Sequence, residues 1–152
     1  MKTIEYFINE ATLTLPGAVV QDTTINIIRL ARPEAALIIS RGAMSEGDEL
    51  GSLIDQQLEK LSSQVKELHY TTRYPVRLGP DEVEGFEVKN QFIRGNERVH
   101  QYQAAFVLPG TRIMMALTYA KSAPFTQEDD EQWVCIKKQL VIRQDINSIF
   151  AL

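Results

Sequence analysis

Apolar and polar residues alternate through Ala11-Thr12-Leu13-Thr14-Leu15 and stop at Pro16-Gly17. Successive side chains of a strand point to opposite faces, so this predicts a half-buried strand ended by a turn. Thr24–Leu30 and Ala35–Arg41 are rich in Ile and are separated by Ala31-Arg32-Pro33-Glu34, which predicts an antiparallel pair. The period then changes. Leu50, Ile54, Leu58, Leu61, Val65 and Leu68 fall on one helical stripe with Leu53 beside it, and Ser45 or Asp48 stands where an N-cap is needed. Further strands are predicted at Tyr70–Leu78, Gly85–Arg94, Glu97–Leu108 and Arg112–Ala120, with turn signals at Gly79-Pro80, Gly95-Asn96 and Pro109-Gly110. The last three read as an antiparallel meander. A second helix starts at Thr126, a good N-cap followed by Glu128, Asp129, Asp130 and Glu131 in the dipole-favoured first turn, with Trp133, Ile136 and Leu140 facing inward.

The order β-β-β-α-β-β-β-β-α predicts an α+β domain, an antiparallel sheet with helices packed on one face. A single domain is expected over residues 1–143, followed by a short tail, 144–152, whose Ile146, Ile149 and Phe150 could dock as an extra turn or pack on a neighbouring subunit. Several strands are apolar on both faces. In Ala35–Ile39, Leu37 and Ile39 oppose Ala36 and Ile38; in Arg112–Ala120, Ile113, Met115, Leu117 and Tyr119 oppose Met114, Ala116, Thr118 and Ala120. Two apolar faces need two covers. With both helices on one face, a dimer mate or an apolar ligand is expected on the other.

Composition narrows the function classes. The 152 residues are 44% hydrophobic and 24% charged, as in ordinary globular domains, so intrinsic disorder and collagen-like repeats are excluded. With 16 Lys+Arg against 20 Asp+Glu, the chain has no broad positive field for a phosphate backbone, and nucleic acid is not an expected partner. One cysteine, Cys135, cannot form an intramolecular disulfide, and it is expected to be an inert helix residue. Polar and acidic residues at the N-terminus do not resemble a signal peptide, and no apolar run approaches the ~20 residues that span a bilayer, so a cytoplasmic protein without membrane insertion is expected.

Catalytic signatures are missing. The sequence contains no G-x-x-x-x-G-K-[ST], no G-x-G-x-x-G and no G-x-S-x-G, and His69, His100 and Cys135 do not form a zinc pattern. The expectation is therefore no enzyme, no catalytic residue, no metal and no cofactor. Two glutamines stand where apolar residues are expected. Gln57 borders the buried stripe of the first helix, and Gln103 shares a strand face with Gln101, Ala105 and Val107. A buried amide without a partner costs about 1–3 kcal/mol, so each must bond internally or meet a ligand.

Glu10-Ala11-Thr12-Leu13-Thr14-Leu15-Pro16, Asp22-Thr23-Thr24-Ile25-Asn26-Ile27-Ile28-Arg29-Leu30, Ile38-Ile39-Ser40-Arg41 and Asp55-Gln56-Gln57-Leu58-Glu59 resemble, in order and spacing, the DcrB-like, Eag-type chaperones of bacterial type VI secretion. The resemblance covers about residues 5–143. It implies a PsbP-like sandwich and a non-enzymatic protein, usually a homodimer, that holds the N-terminal hydrophobic segments of a cognate effector before export. Such effectors carry transmembrane helices next to a PAAR spike domain, often with Rhs repeats. By this resemblance the partner-binding positions are Ile25, Ile27, Ile39, Ser40, Gln57 and Gln103.

The implied task fits the residues. A transmembrane helix in water aggregates unless its apolar side chains are shielded, and amide or hydroxyl groups can bond to its backbone as a neighbouring membrane helix would. A small-molecule or lipid-binding module using the same sheet face is the alternative expectation.

Overall fold

The computed structural model describes residues 3–17 and 22–143; the expected docking of the tail 144–152 lies outside them. Its elements are β1 (Thr3–Phe7), β2 (Thr12–Pro16), β3 (Asn26–Ala31), β4 (Glu34–Ala43), α1 (Leu50–Ser62), β5 (Lys66–Tyr70), β6 (Tyr74–Leu78), β7 (Val83–Arg94), β8 (Glu97–Val107), β9 (Ile113–Lys121) and α2 (Gln127–Lys138). β1 and β2 form a separate antiparallel pair. The remaining strands make one antiparallel sheet in the order β3-β4-β9-β8-β7-β5, with β6 also paired to β7. The α+β class and the β7-β8-β9 meander are as the sequence predicts.

Three local expectations differ. The first helix ends at Ser62, before Val65 and Leu68, because Ser62 and Ser63 donate their hydroxyls back to the carbonyls of Glu59 (2.5 Å) and Lys60 (2.7 Å), and Glu67 then turns the chain at φ 51. Leu68 lies in β5 instead. The strand expected at Tyr70–Leu78 is an edge run that starts earlier and breaks at 71–73: β5 pairs with the far half of β7 and β6 with its near half. Arg73 leaves the run to pair with Asp55 at 3.1 Å and to stack 4.6 Å from the Phe86 ring centroid. Its guanidinium rests on Gly51, where a Cβ would stand 2.6 Å away. Finally, neither Ser45 nor Asp48 caps α1. The N-cap is Glu49, with no side-chain bond, while the Asp48 carboxylate accepts from the Ser45 amide at 2.8 Å and closes the preceding turn.

The sheet carries a core on each face, and each helix has its own. Tyr102, Ala104 and Phe106 of β8 join Ala35, Leu37, Leu117, Tyr119 and Trp133 of α2. The intervening Ala105 joins Val88 of β7 with Ile54 and Leu58 of α1. Strand alternation thus sets α1 and α2 on opposite faces rather than on a shared one. The two-sided apolar strands require this, because either bare face would leave an apolar layer in water.

The α2 side is anchored by buried charge. Thr126 and Asp129 form the capping box expected of a Thr N-cap. Glu128, Asp130 and Glu131 are exposed, but Asp129 is fully buried, and its carboxylate accepts from the Tyr119 hydroxyl at 2.7 Å and the Lys121 ammonium at 2.9 Å. Glu87 of β7, 3% exposed, accepts from Trp133 Nε1 (3.1 Å), Lys137 Nζ (2.5 Å) and the Tyr74 hydroxyl (2.6 Å), tying α2 to the sheet. Tyr102 stacks between Phe125 and Trp133 and donates its hydroxyl to Asp130.

Candidate binding groove on the first-helix face

The registers Ile27↔Ile38, Ile38↔Thr118, Thr118↔Gln103 and Gln103↔Val88 run straight across β3, β4, β9, β8 and β7. These residues share one face, and Val88 fixes it as the side on which α1 packs. α1 covers only the β7–β8 half. Beyond it, Met114, Ala116, Ile38 and Ser40 are half-buried, and Ile27 at the sheet edge is 70% exposed. Between α1 and the sheet opens a cleft of about 260 Å³ lined by Ile54, Gln57, Leu61, Phe86, Gln103 and Ala116. Lys60 and Arg94 stand at its rim, giving an apolar floor a cationic border.

The structure gathers five of the six residues singled out by resemblance. Gln57 and Gln103 line the same cleft from opposite walls. Ser40 lies on the same sheet face, two residues along β4 from Ile38, and Ile27 continues that face to the edge strand. Ile25, 59% exposed, immediately precedes β3 on this edge. Ile39 does not belong. Alternation turns it to the other side, where it packs against the core under α2.

Gln103 is not a free amide. Its Oε1 accepts from Asn90 Nδ2 at 3.0 Å and its Nε2 donates to Thr118 Oγ1 at 3.3 Å, a polar ladder across β7, β8 and β9. One N–H and one lone pair of the amide are left for a ligand. Asn90 is itself 3% exposed, and its Oδ1 has no partner among the described residues, so the ladder ends in a second unused acceptor. Asn90 and Thr118 escaped sequence reasoning because only the pairing register places them beside Gln103. Gln57 is exposed on α1 and makes no side-chain hydrogen bond among the described residues.

Among the described residues no cysteine, histidine or carboxylate lines the groove. Among the described residues there is no group of three or more His, Cys, Asp and Glu placed to hold a metal ion, and no helix is long and apolar enough to cross a membrane. Cys135 is exposed on α2, on the far side of the sheet. The arrangement can shield apolar side chains and offer amides to an exposed backbone.

No curated protein sequence matches this chain. Among solved structures, a Pseudomonas aeruginosa protein of unknown function superimposes with a TM-score of 0.75 at 22% identity, covering 93% of this chain and 97% of the other, a likeness of fold. The DcrB family model matches residues 10–139, which contain both helices and the whole seven-stranded sheet. The chain belongs to the DcrB family.

Proposed function

We propose that this DcrB-family protein is a cytoplasmic, homodimeric chaperone of the Eag type, which binds the N-terminal transmembrane segments of a PAAR- and Rhs-type secreted effector and keeps them soluble until export. One observation carries the reading: the face under α1 is apolar, only half covered, and lined by Gln57 and Gln103. Burying the exposed part of Ile27 alone is worth about 1–2 kcal/mol to a partner. A membrane helix supplies what this surface lacks, namely apolar side chains for Ile27, Ile38 and Met114 and approachable backbone for the amides. No chemical step is assigned to these residues. A small-ligand reading of the same face is less favoured, since about 260 Å³ is below the ~300–1,000 Å³ usual for such pockets.

The test is co-expression with the N-terminal apolar segment of the effector encoded beside this gene, followed by size-exclusion chromatography with light scattering. The expected result is a soluble complex of fixed stoichiometry, weakened at least about tenfold by Ile27→Asp and less by Gln57→Ala. Both residues are exposed, so both variants should keep the parent's far-UV circular dichroism. An insoluble segment with this protein eluting alone, or complexes indifferent to both changes, would overturn the reading.

A further inference from the structure

The opposite face carries a second concavity. Where β5 ends beside the interior of β7 and the first residues of β8, beneath the Pro124-Phe125 turn, lies a cleft of about 500 Å³ lined by His69, Tyr70, Lys89, Gln91, His100 and Phe125. The registers His69↔Gln91 and Gln91↔His100 set both histidines of the chain in one row, with Lys89 two residues along on the same face. Among the described residues no carboxylate lines this cleft. The nearby acids are engaged elsewhere: Asp129 with Lys121 and Tyr119, Asp130 with Tyr102, and Glu87 with Trp133 and Lys137.

Two groups are left wanting a partner. His100 is 9% exposed, and its Nε2 is buried with no hydrogen bond among the described residues. Lys89 Nζ lies 5.4 Å from the Tyr102 ring centroid and 6.0 Å from that of Phe125, and it pairs with no acid among the described residues. Phe125, stacked on Tyr102 at 4.2 Å and edge-on to His100 at 5.9 Å, supplies an aromatic wall.

We propose that this cleft binds a small organic acid with a flat apolar body, its anionic group held by Lys89, Gln91 and His100 and its body laid against Phe125. Burial, and then the charges of Arg98, Lys89 and Lys121, hold the His100 pKa below its ordinary value. An anion set beside the imidazole offsets those cations and raises it again. The site lies across the sheet from the groove under α1 and does not depend on the chaperone reading.

Benzoate and inorganic phosphate are the probes, titrated separately into the full-length protein with isotope-labelled histidine while the imidazole resonances are followed. Benzoate should shift both histidines saturably and raise the His100 pKa, and Lys89→Ala should weaken it at least about tenfold while leaving the amide spectrum otherwise intact. Gln91→Ala is the second variant, expected to weaken binding by a smaller factor. Absence of saturable shifts, or equal affinity in Lys89→Ala, would overturn the proposal; phosphate binding as tightly as benzoate would overturn the part assigned to the flat body.

Discussion

Replacing Asp129 by Asn tests the buried charge that starts α2. The carboxylate is fully buried and accepts from the Thr126 amide at 2.8 Å, the Thr126 hydroxyl at 3.0 Å, the Tyr119 hydroxyl at 2.7 Å and Lys121 at 2.9 Å. Burial alone would raise its pKa, but the Thr126 amide, the Tyr119 hydroxyl and Lys121 outweigh burial and bring it from 3.8 to about 2. That depression corresponds to roughly 2 kcal/mol of stability. Because the folded value is the lower one, the stabilisation is complete above about pH 4 and is lost as pH falls through 2. Asn keeps one acceptor and turns the other into a donor, aimed at Tyr119 where Oδ1 is replaced and at Thr126 and Lys121 where Oδ2 is, and in both cases leaves Lys121 without its counter-ion. Breaking a buried pair in this way costs about 3–5 kcal/mol, and the lower end applies here since Lys121 keeps some water. Urea unfolding followed by circular dichroism should show a loss of about 3 kcal/mol near neutral pH, shrinking by about 2 kcal/mol as the pH is lowered. A loss below about 1 kcal/mol, or one constant down to about pH 2, would refute the assignment of charge stabilisation to Asp129.

Two other substitutions probe different physics. Gly79→Ala would set a Cβ 1.7 Å from the Leu140 carbonyl oxygen at a φ of +72, so about 3 kcal/mol of destabilisation is expected in thermal unfolding, and near-neutrality would mean that the segment after α2 does not pack as described. Gln103→Ala would leave the Asn90 amide without an acceptor in a buried position, and should cost about 1–3 kcal/mol by urea unfolding before any partner is added. The exposed Gln57→Ala should cost less than about 0.5 kcal/mol, so equal losses at the two positions would contradict their different surroundings.

The sequence made the strands and both helix stripes legible because period and turn residues are local. The hairpin of β3 and β4, the meander and the Thr126 cap follow from a few adjacent residues each. What could not be read depends on register and facing. Ile39 and Ser40 are neighbours in sequence, and both looked suitable for a groove, but alternation places one in each layer. Of the acidic run at 128–131, which the helix dipole alone favours equally, Asp129 is buried because Tyr119 and Lys121 of a different element close over it. For Gln103 the sequence leaves open whether its amide bonds internally or meets a ligand, and only the register shows that Asn90 and Thr118, 13 and 15 residues away, engage it. Leu68 keeps the helical spacing past the end of α1 because its apolar position suits the strand β5 as well.

β8 has a mechanical meaning beyond its place in the sheet. Ala104 and Ala105, consecutive in the chain, touch different cores, so the strand is shared by two layers that otherwise meet only through the backbone. Slow, global opening is needed to free its amides, and the two halves of the domain must melt together although their side chains never mix. The β1–β2 ribbon sits outside this coupling, with its own two-stranded ladder. Its amides can exchange through a separate, cheaper opening that leaves the binding faces formed.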